Sequence, residues 1–399
     1  MNEEKESINQ NGFGKGTVVT APLQHQQSSS EDLGNQGFDE EHADLEKFVR
    51  GLPKIELHCH LDGSFEPQIL WDHLQNHPEL FQCFPVEKSL PWAKSEDKPL
   101  PLRLMVESCK SSLEYRHLCT CRRRYRKLRH EGQSQQSGSL EDMLECFQFF
   151  FPLVYDNFVL LEQLAFDFVK RQHEQNVIYT EVRYSPHLLA KDPCKAYEAV
   201  TRGLRKGCAK FMIDVNQILC AISFSPDWST DVVEMANRYR ESFPCAVVAI
   251  DIAAGEDHFS SDSHLKMCQK AKDLGVNMTI HAGETPGSAD NVRKAIVEYG
   301  ATRIGHAYRT TSHPDILEML KSKGIHVEVC PTSSVETGGW EKTEWIQHPA
   351  CTFRNHGISI SLNSDDPAVF NTSLTVSIQT DRSREKYPYT NILCSGNIG

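Results

Sequence analysis

The sequence contains no run of about 18 apolar residues, so no transmembrane helix is expected. It starts MNEEKESINQNGFGKG, with no apolar core of the kind a secretory signal requires. Positive charge is not in excess. Asp and Glu number 54 against 42 Lys and Arg, for a formal net charge of −12. The phosphates of a nucleic acid and an anionic membrane surface both repel such a chain, so a small molecule is the expected partner. Fourteen cysteines are present without a single CxxC pair. Scattered thiols in a chain of 399 residues do not make a disulfide scaffold. They read as the reduced thiols of a cytoplasmic protein.

What is present centres on IELHCHLDGS, residues 55–64. Ile55 to His60 alternates apolar and polar residues and reads as a strand. His58 and His60 are two apart, so both imidazoles leave the same face near the strand's C-terminal end. Asp62 and Gly63 then turn the chain. Two such imidazoles can hold a divalent metal such as zinc. They are also two of 18 histidines, and the spacing alone fits an ordinary strand equally well.

Along the chain, residues 1–45 are rich in Glu, Gln, Asn and Ser and read as a disordered polar tail. An insertion over about 100–138 carries the basic run Arg122 to Arg129, read as a solvated insertion rather than an anion-binding patch. SLEDMLECFQFFF reads as a helix with Ser139 at its N-cap and Leu140, Met143, Leu144 and Phe147 on one face. Strands then alternate with helices: 177–186, 215–224, 247–253, 276–284, 302–308, 325–334 and 358–367. With the opening strand that makes eight, most followed by helical stretches, and the expected fold is a (β/α)8 TIM barrel over residues 46–374. An open doubly wound sheet is the alternative. The barrel is favoured because His58/His60, His281/Glu284, His306 and Asp365/Asp366 all stand at C-terminal strand ends. Only a closed ring brings those ends to one mouth.

As chemistry, His58, His60 and His281 supply nitrogen ligands and Asp365 a carboxylate oxygen, a set that suits zinc. Zinc lowers the pKa of water toward neutrality. His306 is the candidate to steer or deprotonate that water, and Glu284 the candidate proton donor. Taken singly, His306 fits a packed histidine, Glu284 a helix N-terminal charge, and Asp365-Asp366-Pro367 a turn.

PKIELHCHLDGS, TEVRYSPHLLA, VVAIDIA, IHAGE, RIGHAY, VEVCPTSS and SLNSDDP, in this order, resemble the adenosine deaminase family from about Pro53 to Leu374. The resemblance implies one zinc ion held by His58, His60, His281 and Asp365. It implies that Glu284 protonates purine N1 and that His306, assisted by Asp365, acts on the attacking water. Asp366 would hydrogen-bond N7, Asp62 would contact the ribose hydroxyls, and an amide of Ala254 or Gly255 would contact the purine. The implied activity is deamination of adenosine and 2′-deoxyadenosine in purine salvage. Alternatives are an AMP or N6-methyl-AMP deaminase, or a poorly active nucleoside-binding variant. The HxE and PCxxC pattern of nucleobase deaminases that edit polynucleotides is absent. Three departures stand out: Ala253-Ala254-Gly255-Glu256 replaces the family's Ala-Gly-Asp-Glu, the basic insertion lies in the region that caps the pocket, and residues 375–399 do not continue the family's terminal helices. The last creates the expectation of a divergent, truncated C-terminal tail that leaves apolar surface uncovered beside Asp365.

Overall fold

Eight strands run parallel in sequential order, β1 beside β2 and so on to β8. They are β1 Lys54–His60, β2 Val177–Tyr184, β3 Asp214–Ile222, β4 Val247–Ala253, β5 Asn277–Ala282, β6 Arg303–His306, β7 His326–Val329 and β8 Ile360–Leu362. The computed structural model describes residues 47–77, 140–147, 150–341 and 344–379. The expected polar tail, the whole of the insertion expected over about 100–138 with its basic run, the Ser139 cap and residues 380–399 lie outside the described residues. All eight expected strands are present, within a few residues of their expected bounds.

The ring closes between β8 and β1 through the residues that also carry the chemistry. His60 N donates to Asp365 O (2.8 Å) and Asp365 N to His58 O (3.1 Å). The side chain of Asn363 accepts from the backbone of Leu57 (2.9 Å) and His58 (3.1 Å). The fold is therefore a (β/α)8 barrel, and the open sheet is excluded by this closure.

The helices that cover the barrel are α1 Pro67–Asn76, α2 Leu140–Phe147, α3 Phe158–Glu174, α4 Pro193–Phe211, α5 Ser229–Tyr239, α6 Asp262–Leu274, α7 Ala289–Lys294, α8 Pro314–Ser322, α9 Pro349–Asn355 and α10 Leu374–Gln379. Their starts follow from local chemistry. The Asn157 side chain accepts from Leu160 N at the head of α3, and Asp192 from Cys194 N and Lys195 N ahead of Pro193 in α4. Ser261 caps α6 in the same way. α3 buries Leu160, Leu161, Leu164, Phe168 and Val169. Each such side chain contributes about 1.5–3 kcal/mol. In α2, Met143 and Phe147 are buried as the periodicity predicts, with Leu140 and Leu144 packed against the same core. Of the segment read as a divergent tail, residues 375–379 are helical, and Leu374 and Ile378 join the core. No helix among the described residues is long and apolar enough to cross a membrane.

Candidate active site

β1 ends at His60, β5 passes through His281, β6 ends at His306, and Asp365 follows β8. The ring places these strand ends around one mouth, and the side chains converge there. His60 Nε2 stands 3.1 Å from His281 Nε2. Asp365 Oδ1 stands 3.1 Å from His58 Nε2 and 3.5 Å from His60 Nε2. In a tetrahedral zinc site with ligands at about 2.1 Å, neighbouring donor atoms are roughly 3.4 Å apart. The spacing of these atoms fits such an ion. The donor atoms of His58, His281, His306 and Asp365 all lie within 4.8 Å of one another, as do those of His60, Asp365 and Asp366.

For His58, His281 and His306, the group on the far side of the ring sets the tautomer. His58 Nδ1 lies 2.9 Å from Glu328 Oε2, and His281 Nδ1 lies 2.8 Å from Asp251 Oδ2. A carboxylate only accepts, so Nδ1 carries the proton and Nε2 presents its lone pair to the mouth. For His306 the reasoning passes through a tyrosine. Tyr308 donates its single hydroxyl hydrogen to Cys330 O (3.1 Å), so its oxygen is left to accept from His306 Nδ1 (3.1 Å). His306 Nε2 is then unprotonated. Burial pushes His60 and His306 well below the usual imidazole range, which keeps both neutral.

The two carboxylates behind the histidines share one cation. Arg183, fully buried, reaches Asp251 Oδ2 (2.8 Å), Glu328 Oε2 (2.6 Å) and Leu57 O (2.7 Å). Arg303 and Thr279 hold the other Glu328 oxygen at 2.8 and 3.0 Å. Burial alone would raise the Glu328 carboxyl. Arg183, the hydrogen bond from His58 and Arg303 outweigh it and keep Glu328 ionised, well below the usual carboxylate range.

Glu284 follows β5 and is buried, with Oε1 accepting from Thr337 (3.1 Å) and Oε2 standing 3.7 Å from His306 Nε2. Burial, then the like charges of Asp365 and Glu256, push its carboxyl well above the usual range. The shift favours the protonated carboxyl, the form that can donate. Asp366 behaves similarly, raised by burial and by Asp365 and Asp62. Its Oδ1 is buried without a hydrogen-bond partner among the described residues. Asp62 opens a short turn, Asp62–Ser64, and burial pushes its carboxyl up to about 7. Gly63 is required there, because a Cβ would lie 1.8 Å from Asp366 Oδ1.

Ala254 and Gly255 follow β4, both with positive φ (66° and 91°). They are tied to the mouth through the next residue, Glu256, whose carboxylate grips the loop that bears Glu284. Glu256, Arg183, Asp251 and Glu328 are the functional residues that the strand-end motifs do not reveal. For the last three, a signal is nevertheless present in TEVRY, VVAIDIA and IHVEV. Each sets a charged residue inside an otherwise buried strand, which is tolerated only when the charge is paired.

The family model described as adenosine deaminase matches residues 126–392. An adenosine deaminase of Xenopus tropicalis is 33% identical over 83% of this chain and 85% of its own length. Among solved structures, Arabidopsis ADAL complexed with IMP superposes with a TM-score of 0.65 at 22% identity, over 84% of this chain and 86% of that one. The apo N6-methyl-AMP deaminase of Arabidopsis thaliana gives 0.63 at 22%, over 85% and 90%. At that identity the structural likenesses speak for the fold.

Proposed function

The chain belongs to the adenosine deaminase family, hydrolases acting on carbon–nitrogen bonds, and from that premise we propose that it deaminates adenosine and 2′-deoxyadenosine with one zinc ion. The observation that carries this reading is the convergence of His58, His60, His281 and Asp365 beside a buried Glu284 whose carboxyl is pushed well above its usual range. His58, His60, His281 and Asp365 would hold the metal. His60 is preferred to His306 as the fourth ligand because its Nε2 faces both His281 and Asp365. The ion, when bound, acidifies water toward neutral pH.

The remaining roles belong to the chain. Purine N1 and N7 are both acceptors, so each needs a donor. Glu284 and Asp366, whose carboxyls burial pushes well above the usual range, would supply them. Protonation of N1 draws electron density from C6 and readies it for attack. His306, with Nε2 free and Nδ1 tied to Tyr308, accepts the proton of the attacking water, assisted by Asp365. The amino group then takes that proton from His306 and leaves as ammonia, while the C6 hydroxyl returns a proton to Glu284 as the carbonyl of inosine forms. Asp62 meets the ribose hydroxyls, and the loop at Ala254 and Gly255 offers an amide to the base.

A nucleoside is favoured over AMP or N6-methyl-AMP. Asp62, raised to about 7, still carries part of its charge near neutral pH, and that charge at the mouth would repel a phosphate. Arg309, beside Glu284, is engaged by Glu284 O (3.3 Å) and Gly338 O (2.6 Å). The complete ligand and donor set argues against a non-catalytic binder. The test is ammonia release from adenosine, 2′-deoxyadenosine, AMP and N6-methyl-AMP, with chelator and with zinc restored. Turnover of adenosine, lost to chelator and recovered with zinc, is expected. Turnover of either nucleotide without adenosine would overturn the substrate. A folded, zinc-loaded protein that releases no ammonia would overturn the activity.

A further inference from the structure

Far from the metal ligands in the chain, two thiols face each other. Cys208 lies in the last turn of α4 and Cys245 two residues ahead of β4, with their sulfurs 3.6 Å apart. The approach is held by other bonds. Arg205, one turn before Cys208, donates to Pro244 O (2.9 Å) and Ser242 O (2.6 Å), clasping the loop to the helix. Gln217 on β3 donates to Cys245 O (2.6 Å). Met212 N closes the helix end on Cys208 O (2.9 Å). Both backbones are thus fixed with the side chains directed at one another. A disulfide needs its sulfurs at about 2.05 Å, and rotation about the Cα–Cβ bonds is the motion that can close the gap. Cys208 is half-buried and Cys245 is buried, so a reagent from solution meets Cys208 first.

We propose that Cys208 and Cys245 form a thiol–disulfide couple, oxidised by a small-molecule disulfide, which straps α4 to the start of β4. The hydrogen bond from the Cys245 thiol holds Cys208 below the usual thiol range, making Cys208 the attacking thiolate. It attacks one sulfur of RSSR, forms a mixed disulfide and releases RS⁻. Cys245 gives up its proton and attacks the Cys208 sulfur, releasing the second RS⁻. The two protein thiols lose two electrons and two protons, and RSSR becomes two RSH. No metal or substrate takes part, so the couple stands or falls independently of the deaminase reading. The strap closes the chain from 208 to 245 and anchors the strand whose other half carries Asp251. The oxidised protein therefore has a less extensible unfolded state.

The test uses the full chain and oxidised glutathione. After incubation, remaining thiols are alkylated and the protein is digested and mapped without reductant. A peptide pair joined through Cys208 and Cys245, lighter by two hydrogens than its parts, is expected. It disappears on reduction and in Cys208→Ser and Cys245→Ser variants that still melt cooperatively. Recovery of the two cysteines on separate peptides, alkylated or each carrying glutathione, would overturn the proposal. The wild-type map decides the matter even if a serine variant fails to fold.

Discussion

Glu256 holds Glu284 in place by the backbone. The Glu256 carboxylate accepts from the N–H groups of Gly283 (3.0 Å), Glu284 (2.9 Å) and Thr285 (3.0 Å), from the Thr285 hydroxyl (3.1 Å) and from Asn291 Nδ2 (2.8 Å). It also sets a negative charge near Glu284 and raises its carboxyl further. One acidic side chain therefore positions a second and helps to raise its carboxyl.

Glu256→Gln replaces one acceptor oxygen with an NH2 group among N–H donors and removes the charge. Loosening the loop is expected to lower kcat about ten- to a hundredfold. With the like charge gone, the Glu284 pKa falls, and a general acid is lost as pH rises through its pKa. The alkaline limb of the kcat profile therefore moves to lower pH. A pH series of ammonia release reads both effects. An unchanged profile would mean that Glu256 does not govern Glu284.

Asp251→Asn and Glu328→Gln each remove the carboxylate beside a histidine of the proposed metal site. Losses of such partners cost about 10- to 100-fold in metal affinity. Chelator competition on purified protein should show that drop in each variant. Wild-type affinity in both would separate these carboxylates from the metal site. Arg183 couples the two, so the double variant should lose less than the product of the single losses.

Gly305→Ala tests how closely His58 packs on β6. A Cβ there would stand 2.7 Å from His58 Cε1 and 3.2 Å from Nδ1. The ring must swing away from Glu328, and metal affinity should fall about tenfold or more while the barrel still melts cooperatively. Unaltered metal binding would show that the ring has room to move.

His348 predicts an acid sensitivity remote from the metal. Its Nδ1 caps α9 by accepting from Ala350 N (3.1 Å), its Nε2 meets Ser334 Oγ (3.0 Å), and Trp340 and Trp345 pack around it. Burial lowers its pKa from 6.5 to about 3. The unfolded chain therefore takes up the proton first. The stability contribution is complete above the unfolded value and declines by about 1.4 kcal/mol per pH unit as pH falls from 6.5 toward 3. Melting temperatures measured across that window with chelator present should fall less steeply for His348→Asn. Equal slopes would remove His348 as the cause.

The strands were legible because a barrel strand buried on both faces is an apolar run between turns, as in VVAIDIA and VNMTI. The strand-end residues were legible because polar groups there interrupt that pattern where a barrel keeps its chemistry. Arg183, Asp251 and Glu328 were not, since a charge inside a strand says only that it must be paired and nothing about its partner, and Glu256, in the loop after β4, carried no pattern at all. Arg183 and Glu328 are 145 residues apart and meet across the barrel interior.

By itself, the sequence determined which residues can act: imidazoles two apart at a strand end, a glutamate three beyond another histidine, paired aspartates ahead of a proline. Tertiary structure decided their states. Ring closure brings His58 and His60 to Asp365 through backbone bonds between β1 and the residues after β8. Burial raises the Glu284 carboxyl and lowers the His306 imidazole. Carboxylates behind His58 and His281 choose which nitrogen faces the mouth. These are properties of distance and dielectric, and distance and dielectric exist only once the chain has folded.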